Sequence, residues 1–595
     1  MTTQQENSVP LSNASRPLRI WPALLLLALV GAAKATPYLL TEFTPKVFTF
    51  VAFAPLIAGI GLLVWWMFAS RATRAERWLG PLGVVLVAGA AYALMDQSLK
   101  GMGFMFYTLP TGVAAVLLAL VLLRMASPTN RVWGAVFAAI IGFASWDVAR
   151  NDGLWGDFKS SFHWRWEPTA EERLLASLSK ENPSAVQTPS TGDQIEEPTW
   201  SDFRGAKRDG IVRGIVIDTD WQSHSPKELW RRRVGPGWSS FSVAGHSIFT
   251  QEQRGNAEVV VCYDADTGAE RWVHESPARF WESVAGAGPR ATPTLKDGLL
   301  FSVGATGLMH CLNPSTGALI WERDLAKDAA RQPLMWGFAS SPLIVDDLMI
   351  VYAGGADDKG VFAYDAKTGE PRWSVPAGDH SYSSPQRATI AGRDVVLMLT
   401  NTGISAIDPA VGKNIWSYDW KYEGYRAIQP LVLGESDIVV GTGMGTGTRR
   451  VTVAMSDSTP QITDQWTSLE MKPDFNDYVA HKGFLYGFDH NIFACIDLET
   501  GKRNWKKGRY GNGQVLLLPD ADQLLILTET GEVVVVRTNP KSLEELARIK
   551  VLNGKTWNHP VLVENRLYVR NGEEAACLEL PLIQSISTSQ NDDTQ

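Results

Sequence analysis

Five times in the C-terminal two-thirds of the chain an Asp or Asn is followed four residues later by Gly and four residues after that by Trp. The copies are Asp264/Gly268/Trp272, Asn313/Gly317/Trp321, Asp365/Gly369/Trp373, Asp408/Gly412/Trp416 and Asp497/Gly501/Trp505, each preceded by an apolar residue or Tyr. The Asp or Asn side chain can accept from local backbone amides, Gly tolerates positive φ, and the strand that follows buries its Trp, so each copy reads as a β-hairpin. Copies spaced roughly 40 to 50 residues apart suit four strands per unit, the spacing of propeller blades. Degenerate copies fall at Val453–Trp466 and Val533–Ile549, where longer loops replace the turn.

Counting the strand that opens each unit gives eight starts, at Phe241, Ala291, Ser340, Ser384, Ile428, Tyr478, Gln514 and His559. The expectation is an all-β, eight-bladed β-propeller of four-stranded antiparallel blades over residues 200–583. Its last unit reaches Cys577-Leu578-Glu579 and lacks a Trp-bearing strand, whereas Glu228-Leu229-Trp230 resembles such a strand without a preceding turn. The N-terminal strand is therefore expected to complete the final blade, which removes exposed sheet edges. Cys262, Cys311, Cys495 and Cys577 share one repeat position, which implies small buried residues in separate blades and free thiols.

The N-terminal part differs in kind. Between residues 18 and 150 lie five apolar stretches, approximately Leu18–Leu40, Phe48–Ala69, Leu79–Met95, Phe104–Leu123 and Val132–Val148, each about long enough to cross hydrocarbon. Arg16, Arg19, Arg71, Arg74, Arg77, Arg124 and Arg131 fall on one side of these spans, against Lys46 and Lys100 on the other. The positive-inside rule then places residues 1–17 as a cytoplasmic tail and everything after Arg150 outside, in the periplasm of a cell with two membranes. Polar residues within the spans, chiefly Lys34, Asp96 and Asp147, lie near span ends and read as snorkelling or capping residues, with no buried charge pair. Trp155, Phe158, Phe162, Trp164 and Trp166 look like an interfacial aromatic belt.

Residues 151–199 form a juxtamembrane segment and linker. Thr169–Lys180 reads as a short helix, and Glu181–Pro198 is rich in Pro, Ser, Thr, Gln and Glu, as in a flexible tether. Residues 584–595 read as a disordered tail. With 63 acidic against 55 basic residues the chain offers no basic block for a phosphate backbone, so nucleic acid is excluded as a partner.

The Ala/Cys-x-Asp-x-x-Thr-Gly-x-x-x-Trp pattern resembles the tryptophan-docking repeat of the PQQ (quinoprotein) dehydrogenase-like propellers, over roughly residues 200 to 580. That superfamily implies either quinoprotein dehydrogenases or non-catalytic assembly scaffolds of the BamB type. Trp200-Ser-Asp-Phe-Arg-Gly-Ala-Lys-Arg-Asp-Gly-Ile, with Gly288-Pro-Arg-Ala-Thr-Pro, is similar to the opening of BamB-like propellers. Five spans ahead of a propeller are also similar to membrane-bound glucose dehydrogenase, a resemblance that implies PQQ with calcium. The residues themselves specify no cofactor, metal site or catalytic set.

Loops entering the innermost strands of a propeller surround one mouth of its channel. The residues there are Trp238, Trp281, Glu282, Arg290, Trp336, His380, Tyr382, Tyr425, Arg426, Asp477, Tyr478, Asn512, Trp557 and His559. Aromatic faces with a few cations suit a planar anion such as PQQ or a peptide with acidic and aromatic anchors; the alternative for each is inter-blade packing. Gly441-Thr-Gly-Met-Gly-Thr-Gly-Thr-Arg-Arg reads as a hairpin loop rather than an anion cradle, because no helix follows it. The expected function is a membrane-anchored extracytoplasmic binding or scaffold module for a protein or small ligand. The alternative is a PQQ-dependent membrane dehydrogenase oxidising an alcohol or sugar and passing electrons to quinone, and a third reading is polysaccharide binding.

Overall fold

A computed structural model describes residues 17–39, 45–157, 159–180, 195–443, 445–456 and 459–583. Most of the segments expected as a cytoplasmic tail and a tether, Phe158 of the expected aromatic belt and the expected C-terminal tail lie outside these residues. The chain divides into two compact units: Met1–Leu154 with Ser160–Glu167, and Trp155–Lys159 with Pro168–Gln595.

The first unit holds five helices, α1 (Trp21–Leu39), α2 (Pro45–Val64), α3 (Arg74–Leu94), α4 (Leu109–Leu122) and α5 (Pro128–Ala144). Each falls on one of the five apolar stretches. Among the described residues three helical runs, Lys46–Ala69, Arg74–Leu94 and Phe104–Leu122, are long and apolar enough to cross a membrane, whereas Trp21–Pro37 is shorter and α5 has only 17 residues. The count of five full-length spans is corrected accordingly. Small residues let α4 and α5 approach closely: a Cβ on Gly142 would stand 2.8 Å from Gly112 Cα.

A second correction concerns charge. Arg131 of α5 and Glu76 of α3 form a buried ion pair at 3.1 Å, which the hydropathy reading missed because both residues sit at helix starts, outside the apolar cores. Of the three polar residues expected at span ends, Asp96 caps a short 3-10 turn by accepting from Ser98 N, as a capping residue should. Lys34 Nζ donates to Phe106 O at 2.7 Å, in a π-helical turn. After α5 the chain forms a hairpin, Ala149–Leu154 with Ser160–Trp164, that carries Phe162 against Tyr107 and Trp146 and is followed by a stacked Trp164/Trp166 pair.

The second unit is the eight-bladed propeller. Its innermost strands are Ser242–Ala244, Thr294–Lys296, Leu343–Val345, Gln386–Ile390, Leu431–Leu433, Val479–His481, Gln514–Leu518 and Val561–Val563, which open blades 1 to 8 in chain order. Each sheet continues outward through antiparallel neighbours. Blade 8 takes its outermost strand from Lys227–Arg233, with Trp230 opposite Cys577, so the N-terminal strand closes the ring as expected.

The repeat chemistry is repeated in atomic detail. Asp264 Oδ1 accepts from Asp266 N and Thr267 N, and Asn313, Asp365 and Asp497 do the same in their turns. The five motif glycines have φ between 68° and 73°. Each also makes room for the Trp of the preceding blade: a Cβ on Gly317 would lie 2.5 Å from the Trp272 ring, and Gly268, Gly369, Gly412 and Gly501 stand likewise against Trp230, Trp321, Trp373 and Trp466. The docked indoles donate onward, Trp272 Nε1 to Pro314 O and Trp321 Nε1 to Ala366 O, both at 2.9 Å.

Within its own blade each Trp faces a small residue. Cys262, Cys311, Cys495 and Cys577 are the register partners of Trp272, Trp321, Trp505 and Trp230, and Ala363 and Ala406 face Trp373 and Trp416. This explains the shared cysteine position, and all four thiols are free and buried. Burial pushes each of them up to about 12, so none is a reactive thiolate.

Candidate functional site

The channel is threaded by the chain itself. Pro198–Trp200 pairs with the innermost strand of blade 1, on its channel side, and residues 201–212 run on through the ring. Leu295 N of blade 2 donates to Ser201 O, and Thr294 Oγ1 donates to Asp202 Oδ1 at 3.0 Å. Arg208 donates to Pro342 O and Ser341 O of blade 3 at 2.8 and 3.0 Å. Gln386 Nε2 of blade 4 donates to Lys207 O, and Arg204 donates to Tyr478 O at the start of blade 6. Val212 N donates to Leu517 O of blade 7, and the Phe203 ring meets His559 of blade 8 edge-on at 4.8 Å.

Seven of the eight blades therefore hold this plug. It leaves beside the strand-end turn of blade 7, where Gly214 N donates to Asp520 Oδ2 and Ile217 N to Gln523 Oε1, on the face opposite the mouth. Inside it, Arg208 and Asp202 form a buried ion pair at 2.9 Å. Arg204 and Arg208 both adopt left-handed φ, 63° and 54°, a strained geometry that their hydrogen bonds over-determine. Nothing in the repeat pattern requires this segment. The signal that could have revealed it is a run carrying Trp, Phe, two Arg and two Asp ahead of the first blade strand, more polar chemistry than a tether uses.

Above the plug, a belt of hydrogen bonds joins the residues that precede the inner strands. Ser240 N donates to Thr292 Oγ1, Thr292 N to Ser341 Oγ and Ser341 N to Ser384 Oγ. Gln429 N donates to Asp477 Oδ1, Gln514 Nε2 to Trp557 O and Asn558 Nδ2 to Ser239 O.

The residues expected to form one ring separate into distinct groups. Asp477 and His559 are buried on the plug, with Arg204 3.6 Å from Asp477 Oδ1 and His559 Nε2 3.6 Å from Asp477 Oδ2. Burial raises the Asp477 carboxyl and holds the His559 imidazole well below its ordinary value, so His559 is neutral. Tyr478 is buried with them, its carbonyl held by Arg204. Arg426 is fully buried between blades, donating to Thr400 O and Trp420 O, and burial lowers it to about 10.

Trp238 and Trp557 meet at 4.9 Å, Phe475 packs on Trp557 at 5.0 Å, and Lys555 Nζ rests 4.4 Å from the Trp557 ring. Glu529 accepts from Trp557 Nε1 at 2.7 Å and from Asn512 N at 3.2 Å. Trp336, Tyr382, Tyr425 and His380 form a second aromatic cluster with centroid separations of 4.4 to 6.2 Å, and Trp336 N donates to Tyr382 OH. Burial lifts Tyr382 to about 12 and lowers His380. Trp281 is 39% exposed in a two-residue strand, while its neighbour Glu282 is paired with Arg290 at 2.9 Å. Phe475, Lys555 and Glu529 were not in the sequence-derived ring: Phe475 and Lys555 precede inner strands by four and six residues, and Glu529 lies in a loop one strand away.

Calcium takes six to eight oxygen ligands rich in carboxylate. The mouth carboxylates are committed: Asp477 to Arg204, Glu282 to Arg290, Glu529 to an indole and two backbone N–H groups, those of Asn512 and Gly156. Among the described residues no three His, Cys, Asp or Glu side chains are grouped to hold a metal ion. The donor set present does not fit the calcium that would accompany PQQ.

Glu258 of blade 1 has no ion-pair partner within 4 Å among the described residues. It accepts from Ala305 N and Thr306 Oγ1 of blade 2, and burial pushes it up to about 7. Its folded-state value lies above the ordinary 4.5, so the stability it contributes is full below pH 4.5 and is lost as pH rises through 7. Glu258→Gln should remove that pH dependence, worth about 3 kcal/mol between pH 4.5 and 8, in urea unfolding curves.

An eight-bladed ring of tryptophan-docked hairpins defines a PQQ-like β-propeller. Residues 256–507 match the family model described as outer membrane protein assembly factor BamB. The chain is 22% identical over 290 residues to outer membrane protein assembly factor BamB of Yersinia pestis, covering 44% of this chain and 70% of that protein. It is 30% identical over 146 residues to quinohemoprotein alcohol dehydrogenase ADH-IIG of Pseudomonas putida, covering 22% of this chain and 19% of that enzyme. It is 28% identical over 302 residues to polyvinylalcohol dehydrogenase of Sphingopyxis sp. (strain 113P3), covering 39% and 44%. The chain thus spans less than half the length of either dehydrogenase.

Proposed function

We propose that this chain is a membrane-anchored scaffold whose propeller lies outside the cytoplasm and binds a segment of a partner protein at the channel mouth, in the manner of an assembly factor. The observation that carries this reading is the plug: the channel axis is filled by residues 200–212, and the carboxylates around the mouth already have partners. What the mouth still offers is aromatic surface, the Trp336/Tyr382/Tyr425/His380 cluster on one side and Trp238/Trp557 on the other, with Trp281 and Met335 (53% exposed) at its rim. Half-buried aromatic side chains around a rigid ring are the usual anchors of a protein interface. The arginine-rich sides of the apolar helices support an inner-membrane location with the N-terminus cytoplasmic.

The test is photocrosslinking in cells with the full chain. Crosslinkers at Trp281 and Met335 should capture a discrete partner, and one at Val411, 64% exposed on an outer turn, should not. The pair Trp336→Ala with Tyr425→Ala should reduce capture at least about tenfold if these rings are interface anchors. Saturable binding of PQQ with calcium, coupled to reduction of a dye by an alcohol or sugar, would overturn the scaffold reading in favour of a dehydrogenase.

A further inference from the structure

We infer that one end of the helical unit holds an anionic phospholipid, with an acyl chain in the groove between α1 and α2 and the headgroup phosphate on Arg19, Arg71 and Arg124. This site goes beyond the role proposed for the propeller and does not depend on it; it uses only the reading of these helices as membrane-embedded.

Three observations place the chemistry together. The first is an apolar cavity of about 380 Å³ that opens between the helices, with Trp21, Leu25, Val64, Phe68 and Ala69 in its wall and Arg19 at its rim. Gly61 and Leu26 also line it, and there α1 and α2 approach closely, since a Cβ on Gly61 would stand 2.8 Å from Leu26 Cδ2. Its walls are uncovered: Leu25 is 61% and Phe68 72% exposed. The volume is of the size that takes a small apolar ligand.

The second observation is how the cations are gathered. Arg19 N donates to Ser70 O, which brings Arg19 beside Arg71, and Leu18 N donates to Arg124 O, which brings the end of α4 to the same place. Three separate chain segments are tied by backbone hydrogen bonds so that each contributes one exposed arginine. Among the described residues none of the three has an ion-pair partner, whereas neighbouring Arg131 is paired with Glu76 and Arg77 donates to Ala72 O.

The third is strain. Arg71 has φ 69°, a left-handed conformation that costs a non-glycine residue about 1–2 kcal/mol and is found where the local geometry serves a site. Topology alone asks only for positive charge on one side of the membrane. A turn held in an unfavourable conformation beside unpaired guanidiniums and an acyl-sized groove is what an acidic lipid would fill, since guanidinium is the preferred partner of phosphate and the groove takes the tail.

The test is native mass spectrometry of the full chain released from detergent, with phosphatidylglycerol and phosphatidylcholine of identical acyl chains, and with sn-glycerol 1-phosphate as headgroup alone. Phosphatidylglycerol should be retained at least about tenfold more than phosphatidylcholine, whose phosphate bears the same charge but whose choline cation is repelled by the three guanidiniums. Arg19→Gln/Arg71→Gln/Arg124→Gln should bring that ratio near one, and Ala69→Phe, which fills the groove from an exposed position, should reduce retention of both lipids. Equal retention of the two lipids by the native chain would overturn the proposal, as would a triple variant with unchanged preference. Binding of glycerol phosphate as tight as that of the whole lipid would remove the groove from it. Should Ala69→Phe fail to fold, the arginine variant, altered only at exposed side chains, still decides.

Discussion

Arg208→Ala should lower the unfolding free energy of the propeller by about 3–5 kcal/mol, the cost of leaving one partner of a buried ion pair without the other. The guanidinium is almost wholly enclosed and makes three bonds, to Asp202 Oδ1, Pro342 O and Ser341 O. Its removal strands a carboxylate that burial already raises and of which Arg208 is the principal charge partner. The deficit should therefore depend on pH. In the variant Asp202 is pushed further up, so the stability it contributes is present at low pH and lost as pH rises, and the gap between native and variant should be wider at pH 8 than at pH 5. Arg208→Ala with Asp202→Asn should recover part of the loss, because the stranded charge is gone. Urea unfolding followed by tryptophan fluorescence measures all three. A change below about 1 kcal/mol for Arg208→Ala would mean that the plug is an appendage and not part of the core, and the argument against a channel ligand would fall with it.

The contrast between plug and blades shows what a sequence of this kind makes legible. The blades could be read because each repeats the same local chemistry: the Asp264 and Asn313 turns, the glycines at positive φ and the small residue opposite each Trp are short-range rules, visible wherever they recur. The ring closure through Trp230 could be read as well, because a missing strand at one end matched a spare one at the other. The plug could not. Its bonds run from Arg208 to Ser341 and from Arg204 to Tyr478, separations that no local pattern encodes. The mouth residues suffered from the same limit. Position ahead of an inner strand located Asp477 and Trp336 equally well, but whether a side chain ends up on the plug or in an aromatic cluster depends on what fills the channel. In the helical unit, hydropathy found every helix and missed the Glu76–Arg131 pair, because an apolar-window reading does not ask which charged helix starts meet.

Trp272→Ala should destabilise the propeller by about 3–5 kcal/mol, the range for removing a large aromatic from a well-packed core. The indole is 5% exposed, its Nε1 donates to Pro314 O, and its ring lies over Gly317 of the next blade. Gly317→Ala should also be costly, for two separable reasons: φ is 72°, which costs an L-residue about 1–2 kcal/mol, and the new Cβ would meet the Trp272 ring at 2.5 Å. Only the second reason involves Trp272. In the double variant the ring is gone, so Gly317→Ala should there cost only its left-handed component, and the two substitutions should be less than additive by about 1 kcal/mol or more. Strict additivity would mean that the motif glycine is kept for its backbone conformation alone. A clear coupling would show that Gly and Trp, four residues apart in the five clear copies, are each matched to the neighbouring blade, so that the recurrence read in the sequence is the spacing of contacts between blades and not a property of any one hairpin.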